Sequence, residues 1–286
     1  MENECTFITE RGMVYDMKLK ILNPEDFQNV IPHIKENDIV FCKTDYLQIF
    51  ASAIHIIKSP FTLVSGRSDY TVPDTFIQAS GQILKNPFLK KWYAINCVRN
   101  HEKLVPLPLG IDYHSIMNDS QLLPLEQEKV LLNVKKNMKP LSETLPLAVT
   151  NFQHAMNDPP LRVYYRKPAY EILKDKDCII WLPKQERTEF WKSCNDNMFV
   201  ICPFGNGPDT HRTYEVLALG RVPIVLHAHF NENLFKGMPI VVVHDWNSIT
   251  REFLEDNYKQ IIKKFENNEY NYDRILCKFW KDFILQ

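Results

Sequence analysis

The stretch from 198 to 226 constrains the fold more than any other part of this chain. It opens with the apolar run Met198-Phe199-Val200-Ile201-Cys202-Pro203, passes through Phe204-Gly205-Asn206-Gly207-Pro208, and enters a segment of helical character at 209–219. Gly220 follows, and then a second apolar run at 222–226. A short apolar run bounded by turn residues reads as a buried strand. Two glycines in the turn permit positive φ and close backbone approach. Asp209 or Thr210 caps the helix start, and Gly220 closes its end. Pro223 falls at the start of the next strand, where a missing N–H is tolerated best. These signals agree on one β-loop-α-β unit, which requires a parallel sheet with helices on its faces.

The same alternation runs through the rest of the sequence. Residues 39–42 and 61–64 read as buried strands, with a helical stretch at 47–57 between them. The second of these strands ends in Ser65-Gly66-Arg67-Ser68-Asp69-Tyr70. Residues 87–96 lead into 103–108, and Gly110-Ile111-Asp112-Tyr113-His114 follows. A polar, lysine-containing stretch at 118–143, with a helical piece near 126–137, reads as an interdomain connection. Beyond it, strands are predicted at 147–152, 178–182 and 240–243, with helices at 168–173 and 186–194. A long amphipathic helix is predicted from 247 onward, and a closing helical segment over 274–285. The fold class is therefore α/β. At 286 residues the chain exceeds the usual size of one hydrophobic core, so two domains are predicted, 1–138 and 139–286.

Composition excludes several classes. An aromatic content of 12% argues against disorder. With 34 basic and 35 acidic residues the formal net charge is -1, so no broad basic surface exists for nonspecific nucleic-acid binding. The 7 cysteines are dispersed without a CxxC pair, which reads as reduced core thiols rather than a disulfide frame or zinc site. The N-terminal MENECTFITERG has no apolar run of the secretory kind. Apolar stretches such as 239–243 fall far short of the ~20 residues that span a bilayer. A cytoplasmic protein without a transmembrane segment is expected.

The turn at 203–208 also suggests chemistry. A glycine-rich strand-to-helix turn presents free backbone N–H groups and the positive end of a helix dipole, a combination that suits phosphate. His211 and Arg212 fall in the first helical turn and add donors and a fixed charge, and a guanidinium holds two phosphate oxygens at once. Glu215 shares their face of the helix, where its carboxylate accepts from ribose hydroxyls. A plain turn and a surface Arg212–Glu215 ion pair fit the same residues. The site's place at the carboxyl end of a buried strand favours the binding reading.

The run from Cys202 to Val225, with its Pro203-Phe204-Gly205-Asn206-Gly207-Pro208-Asp209-Thr210-His211-Arg212-Thr213-Tyr214-Glu215 centre, resembles the C-terminal signature of exostosin-like glycosyltransferases. Within that superfamily it resembles a compact bacterial and giant-virus branch with the approximate pattern P-x-G-N-G-x-D-x-H-R-x-W-E. Tyr214 stands where that pattern has Trp. Shorter similarities occur at Lys43-Thr44-Asp45, Ser68-Asp69-Tyr70, 92–96, 108–112 and Asp245-Trp246. The resemblance implies a GT-B architecture, two Rossmann-like domains facing a central cleft, with a nucleotide-sugar donor held mainly by the C-terminal domain. It implies UDP-linked donors, inversion at the anomeric carbon and usually no metal. The sequence has no convincing Asp-x-Asp motif, and neither a metal nor another cofactor is expected.

On this reading the donor residues are Gly205, Asn206, Gly207, Asp209, His211, Arg212 and Glu215, with Arg187 approaching the diphosphate from the other side. Arg187 also fits a solvated place in a charged stretch, as do Arg162 and Arg166. An inverting transferase needs a base for the acceptor hydroxyl. Asp69 is the first candidate, Asp45 the second, and Asp112 with His114 the third; a capping role is open to each. The expected partners are a nucleotide sugar and an oligosaccharide or glycan acceptor, not nucleic acid. Two other functions fit the same fold: a noncatalytic sugar-nucleotide or glycan-binding protein, and a DNA-modifying glucosyltransferase.

Overall fold

The strands assemble into two separate parallel sheets of five strands each. The computed structural model describes residues 1–115, 122–154 and 162–286, with the side chains of 162–165 outside that description. The first sheet takes β1 (Leu19–Ile21), β2 (Asp38–Lys43), β3 (Phe61–Gly66), β4 (Leu89–Ile95) and β5 (Leu104–Leu107) in simple sequential order. The second takes β6 (Leu145–Thr150), β7 (Ile179–Trp181), β8 (Asn197–Ile201), β9 (Val222–Leu226) and β10 (Val241–Val243) in the order β10-β9-β8-β6-β7. Each strand pair is parallel. This is the expected α/β architecture of two Rossmann-like sheets.

Residue alternation explains why both faces of each sheet are covered. Successive side chains of a strand point to opposite faces. Val40, Cys42, Leu63, Trp92 and Ala94 cluster with Phe50 and Ile83, which come from the helices Leu47–Ala53 and Ile77–Lys85. Their neighbours Phe41, Val64, Tyr93 and Ile95 join a different cluster, which also contains Val149, Val200 and Val225 of the second sheet. That cluster is continuous between the two halves. The outer face of the second sheet packs Phe199, Ile201 and Ile224 with Ala169 and Leu254, on the helices Arg162–Leu173 and Arg251–Glu266.

The last helix, Cys277–Leu285, returns to the first half of the chain. Trp280 and Ile284 are buried in the shared cluster. Phe283 meets Tyr93 edge to face at 5.9 Å, and Lys281 pairs with Asp16 at 2.8 Å.

Several elements differ from the sequence expectation. The helix predicted at 168–173 begins at Arg162 and carries Pro168 inside it; proline favours a first turn, which placed the predicted start too late. The helical piece expected near 126–137 within the connection 118–143 is the helix Pro124–Lys136, and what the sequence did not indicate is that it buries Gln127, Glu128 and Leu131; residues 118–121 lie outside the described ones. Strand β1 and the helix Ile77–Lys85 were not predicted. The 7 cysteines are free and buried, as thiols of a core should be. Among the described residues no helix is long and apolar enough to cross a membrane.

Candidate active site

In the second sheet the chain runs from β6 outward to β7, then returns to β8 on the other side of β6. Such a reversal leaves a crevice at the carboxyl ends of the two central strands, where ligands of open α/β sheets bind. Asn151 and Phe152 follow β6, Pro203 follows β8, and all of them line a cavity of about 430 Å³. Gly205, Asn206, Gly207, Asp209, His211, Arg212, Glu215 and Arg187 line it too, and Asp69 and Asp112 close it from the first half of the chain. Every donor-side residue predicted from the sequence is therefore in one place, facing the first candidate base.

The glycine loop owes its position to contacts across the cleft. Asn206 Nδ2 donates to Asp69 Oδ2 at 2.8 Å. The Asp209 amide donates to Asn96 Oδ1 at 3.1 Å, and the Leu109 amide donates to Asp209 Oδ2 at 2.8 Å. Arg166, which also lines the cavity, holds the loop by donating from Nε to the Phe204 carbonyl at 3.0 Å. Gly207 needs its missing side chain for close approach: a Cβ there would lie 2.5 Å from Asn96 Nδ2. Neither loop glycine has positive φ, whereas Gly220 after the helix does, at 74°. The turn thus uses the small size of glycine, and only the helix terminus uses its left-handed backbone.

The helix His211–Ala218 starts with Thr210 as N-cap, but no side chain caps it. Asp209 is turned inward instead. It is 4% exposed and also accepts from Tyr214 Oη at 2.6 Å. Burial pushes its carboxyl up to about 7, against the pull of these hydrogen bonds. Asp209 borders the cavity, yet its carboxylate is engaged by the scaffold.

His211 Nδ1 donates to the Gly110 carbonyl at 2.7 Å, which fixes the ring and leaves Nε2 for the cleft. Arg212 lies over the Phe190 ring at 4.4 Å. Its Nη1 is buried without a hydrogen-bond partner among the described residues, as is Asn151 Oδ1 on the cavity wall. A buried guanidinium nitrogen with no acceptor is costly unless a ligand supplies one.

Glu215 is 8% exposed and is not the surface ion pair with Arg212 that its spacing allowed. Its Oε1 accepts from Arg187 Nε and Nη2 at 2.9 and 2.6 Å, and its Oε2 accepts from Trp191 Nε1 at 2.9 Å. Arg187 continues to Gln127 Oε1 at 3.2 Å and lies 4.8 Å from the Trp191 ring. Arg187 is thus fixed inside the cleft wall. Arg221, just beyond the helix end at Gly220, donates to the carbonyls of Cys194, Lys139 and Asn195, so its charge serves the fold.

The other base candidates lie differently. Asp45 does not line this cavity; it pairs with Lys43 at 3.5 Å. Asp112 does line it, but its Oδ1 accepts from the amides of His114 and Ser115 in a local turn. His114 is desolvated, which pushes its pKa down to about 4 and makes it neutral at neutral pH. The side chain of Arg162 lies outside the described residues. Sequence reasoning missed Asn96, Gln127 and Trp191, which hold the site residues from separate elements. Only the left-handed backbone of Asn96 at φ 53° marks it as unusual, and sequence does not display that.

No protein-family model matches this chain, and no curated protein matches it. Among solved structures the chain is similar to a glycosyltransferase from Rickettsia africae at 11% identity, covering 97% of this chain and 80% of that one with a TM-score of 0.43. It is similar to apo OtsA at 10% identity, covering 91% and 74%, with a TM-score of 0.43. An α,α-trehalose-phosphate synthase (UDP-forming) from Burkholderia vietnamiensis is similar at 10% identity, covering 96% and 84%, with a TM-score of 0.40.

Proposed function

We propose that this chain is a glycosyltransferase that moves a sugar from a nucleotide donor, of the UDP class, to a glycan acceptor. In this reading it belongs with the exostosin-like enzymes, divides at 138/139, inverts the anomeric centre and needs no metal. The observation that carries the proposal is the pairing of a buried Arg212 Nη1, without a partner among the described residues, with a glycine turn at the sheet's reversal point. That combination suits the diphosphate of a sugar nucleotide.

The chemistry divides between the two sides of the cleft. The acceptor oxygen attacks the anomeric carbon while Asp69 takes its proton. The bond from that carbon to the diphosphate oxygen breaks, and the electron pair leaves with the diphosphate. Arg212, His211 Nε2 and the loop amides stabilise the developing negative charge. Glu215, oriented by Arg187 and Trp191, keeps one lone pair on Oε2 for a ribose hydroxyl. Asn206 holds Asp69 in place until an acceptor arrives.

The test is release of nucleoside diphosphate from UDP- and GDP-sugars in the presence of EDTA, with and without glycan acceptors. The expected result is acceptor-stimulated release from one nucleotide class, reduced roughly 10²- to 10⁴-fold in Asp69→Asn with donor affinity preserved. Donor binding without release or transfer would identify a noncatalytic binder. Near-normal turnover in Asp69→Asn would remove Asp69 as the base.

A further inference from the structure

A second cavity, of about 610 Å³, opens beside the first. Asp69, Leu109 and His211 line both, so the candidate base stands at the junction. The walls of the second cavity come mainly from the first half of the chain and include Arg11, Lys43, Arg67, Glu10 and His114.

The charges in this cavity are unbalanced in a specific way. Neither Arg11 nor Arg67 has a hydrogen-bond or ion-pair partner among the described residues, and Arg11 Nε is buried with none. The two guanidiniums stand close enough to repel: burial, and then the charge of Arg11, hold Arg67 below its usual range. The nearby Glu10 and Glu2 carboxyls pull Arg67 the other way but do not outweigh burial and Arg11. Burial pushes Glu10 up to about 8, which favours its protonated form at neutral pH, and burial also raises Glu2. His114 is neutral at neutral pH. Lys43 adds a third cation at the wall, loosely paired with Asp45. Two half-buried guanidiniums face one cavity without a hydrogen-bonded partner among the described residues, an arrangement that an anion relieves, and their planar donors match phosphate or carboxylate oxygens.

We propose that the second cavity is the acceptor site and that it selects an acceptor bearing an anionic group, a phosphate monoester or a carboxylate, held between Arg11 and Arg67. The inference rests on reading the first cavity as the donor site. The anion would anchor the sugar at the far wall, leaving a hydroxyl at the junction beside Asp69. A neutral sugar of the same shape would leave both guanidiniums unsatisfied, which is the physical basis of the selection.

The test uses the full chain with UDP at saturation, so that the donor's phosphate site is occupied. Thermal melts are recorded against glucose 6-phosphate, glucuronate, inorganic phosphate and glucose, for the unaltered protein, Arg11→Gln, Arg67→Gln and Arg67→Lys. The expected result is stabilisation by inorganic phosphate and by at least one anionic sugar at concentrations where glucose has no effect. The glucose 6-phosphate and glucuronate arms tell phosphate from carboxylate. Both Gln variants should weaken the anion response at least tenfold with UDP affinity within twofold of normal, and Arg67→Lys should recover part of it. Equal responses to glucose and the anions, or an anion preference that survives both Gln variants, would overturn the proposal. A tenfold loss of UDP affinity in the Gln variants would also overturn it, by assigning these cations to the donor. If the unaltered protein binds no UDP, the donor reading fails; an anion response that is then lost in the Gln variants would show that the anion cavity stands without it.

Discussion

Asp209 shows how one buried carboxyl makes stability depend on pH. It sits between the two halves of the molecule, accepting from the Leu109 amide on one side and Tyr214 on the other. Its ordinary value is 3.8, and burial pushes it up to about 7. Between these values the unfolded chain releases the proton while the folded protein retains it. The folded state therefore binds more protons, and stability from this group is full below about pH 4 and lost as pH rises through 7. The loss amounts to a few kcal/mol at most. Asp209→Asn should flatten this part of the profile. Melting temperatures of the two proteins, taken from pH 4.5 to 7.5, should diverge, with the unaltered protein falling more steeply. Parallel profiles would mean that Asp209 stays ionised in the fold. Glu10 contributes a slope of the same sign up to about 8, so the informative quantity is the difference between the two proteins.

At the level of elements, the glycine loop and the helix behind it form a unit pinned to the opposite side of the cleft. Gly207→Ala brings a Cβ against the Asn96 amide, which itself accepts from the Asp209 N–H. Asn96 must then move, and the loop loses its fixed place. A cost of about 1–3 kcal/mol is expected for such overpacking, together with weaker donor binding. At Gly205 the nearest atoms to a Cβ are 3.6 Å away, so Gly205→Ala should be mild in both respects. Denaturant melts and donor titrations of the two variants check this contrast. Equal effects would mean that the loop is not set by Asn96.

The loop and its flanking strands were legible in the sequence because every local signal there agrees: apolar strand, glycine turn, helix, Gly220, second strand. Their site residues also follow one another within the single continuous stretch 205–215, in one turn and the helix after it. The opposite wall gave no such signal. Arg11, Arg67, Asn96 and Gln127 come from four separate segments, and only folding brings them near the cleft. Strand β1 escaped notice for another reason: it has three residues, of which one is buried, too short for a period to show. Glu215 was legible as a site residue but not in its partners, since Arg187 and Trp191 lie on a different helix, Arg187–Ser193.

For the whole molecule, the two sheets do not have wholly separate cores. Phe41 and Val64 of one sheet share a cluster with Val149 and Val200 of the other, and the final helix adds Trp280 to it. Contacts from Asn206, Asp209 and His211 tie the halves together again at the cleft. A ligand that binds between them should therefore stabilise both halves together, in one unfolding transition.

A nucleotide diphosphate held against Arg212 is tested by the thermal unfolding of the unaltered protein and Arg212→Ala, each with and without UDP, in EDTA. A ligand at 100 times its dissociation constant stabilises the fold by about 2.7 kcal/mol. One transition is expected in the unaltered protein, raised by UDP in EDTA, with a roughly 10- to 100-fold weaker response in Arg212→Ala. No response to UDP, or an equal response in both proteins, would contradict the placing of a nucleotide diphosphate against Arg212.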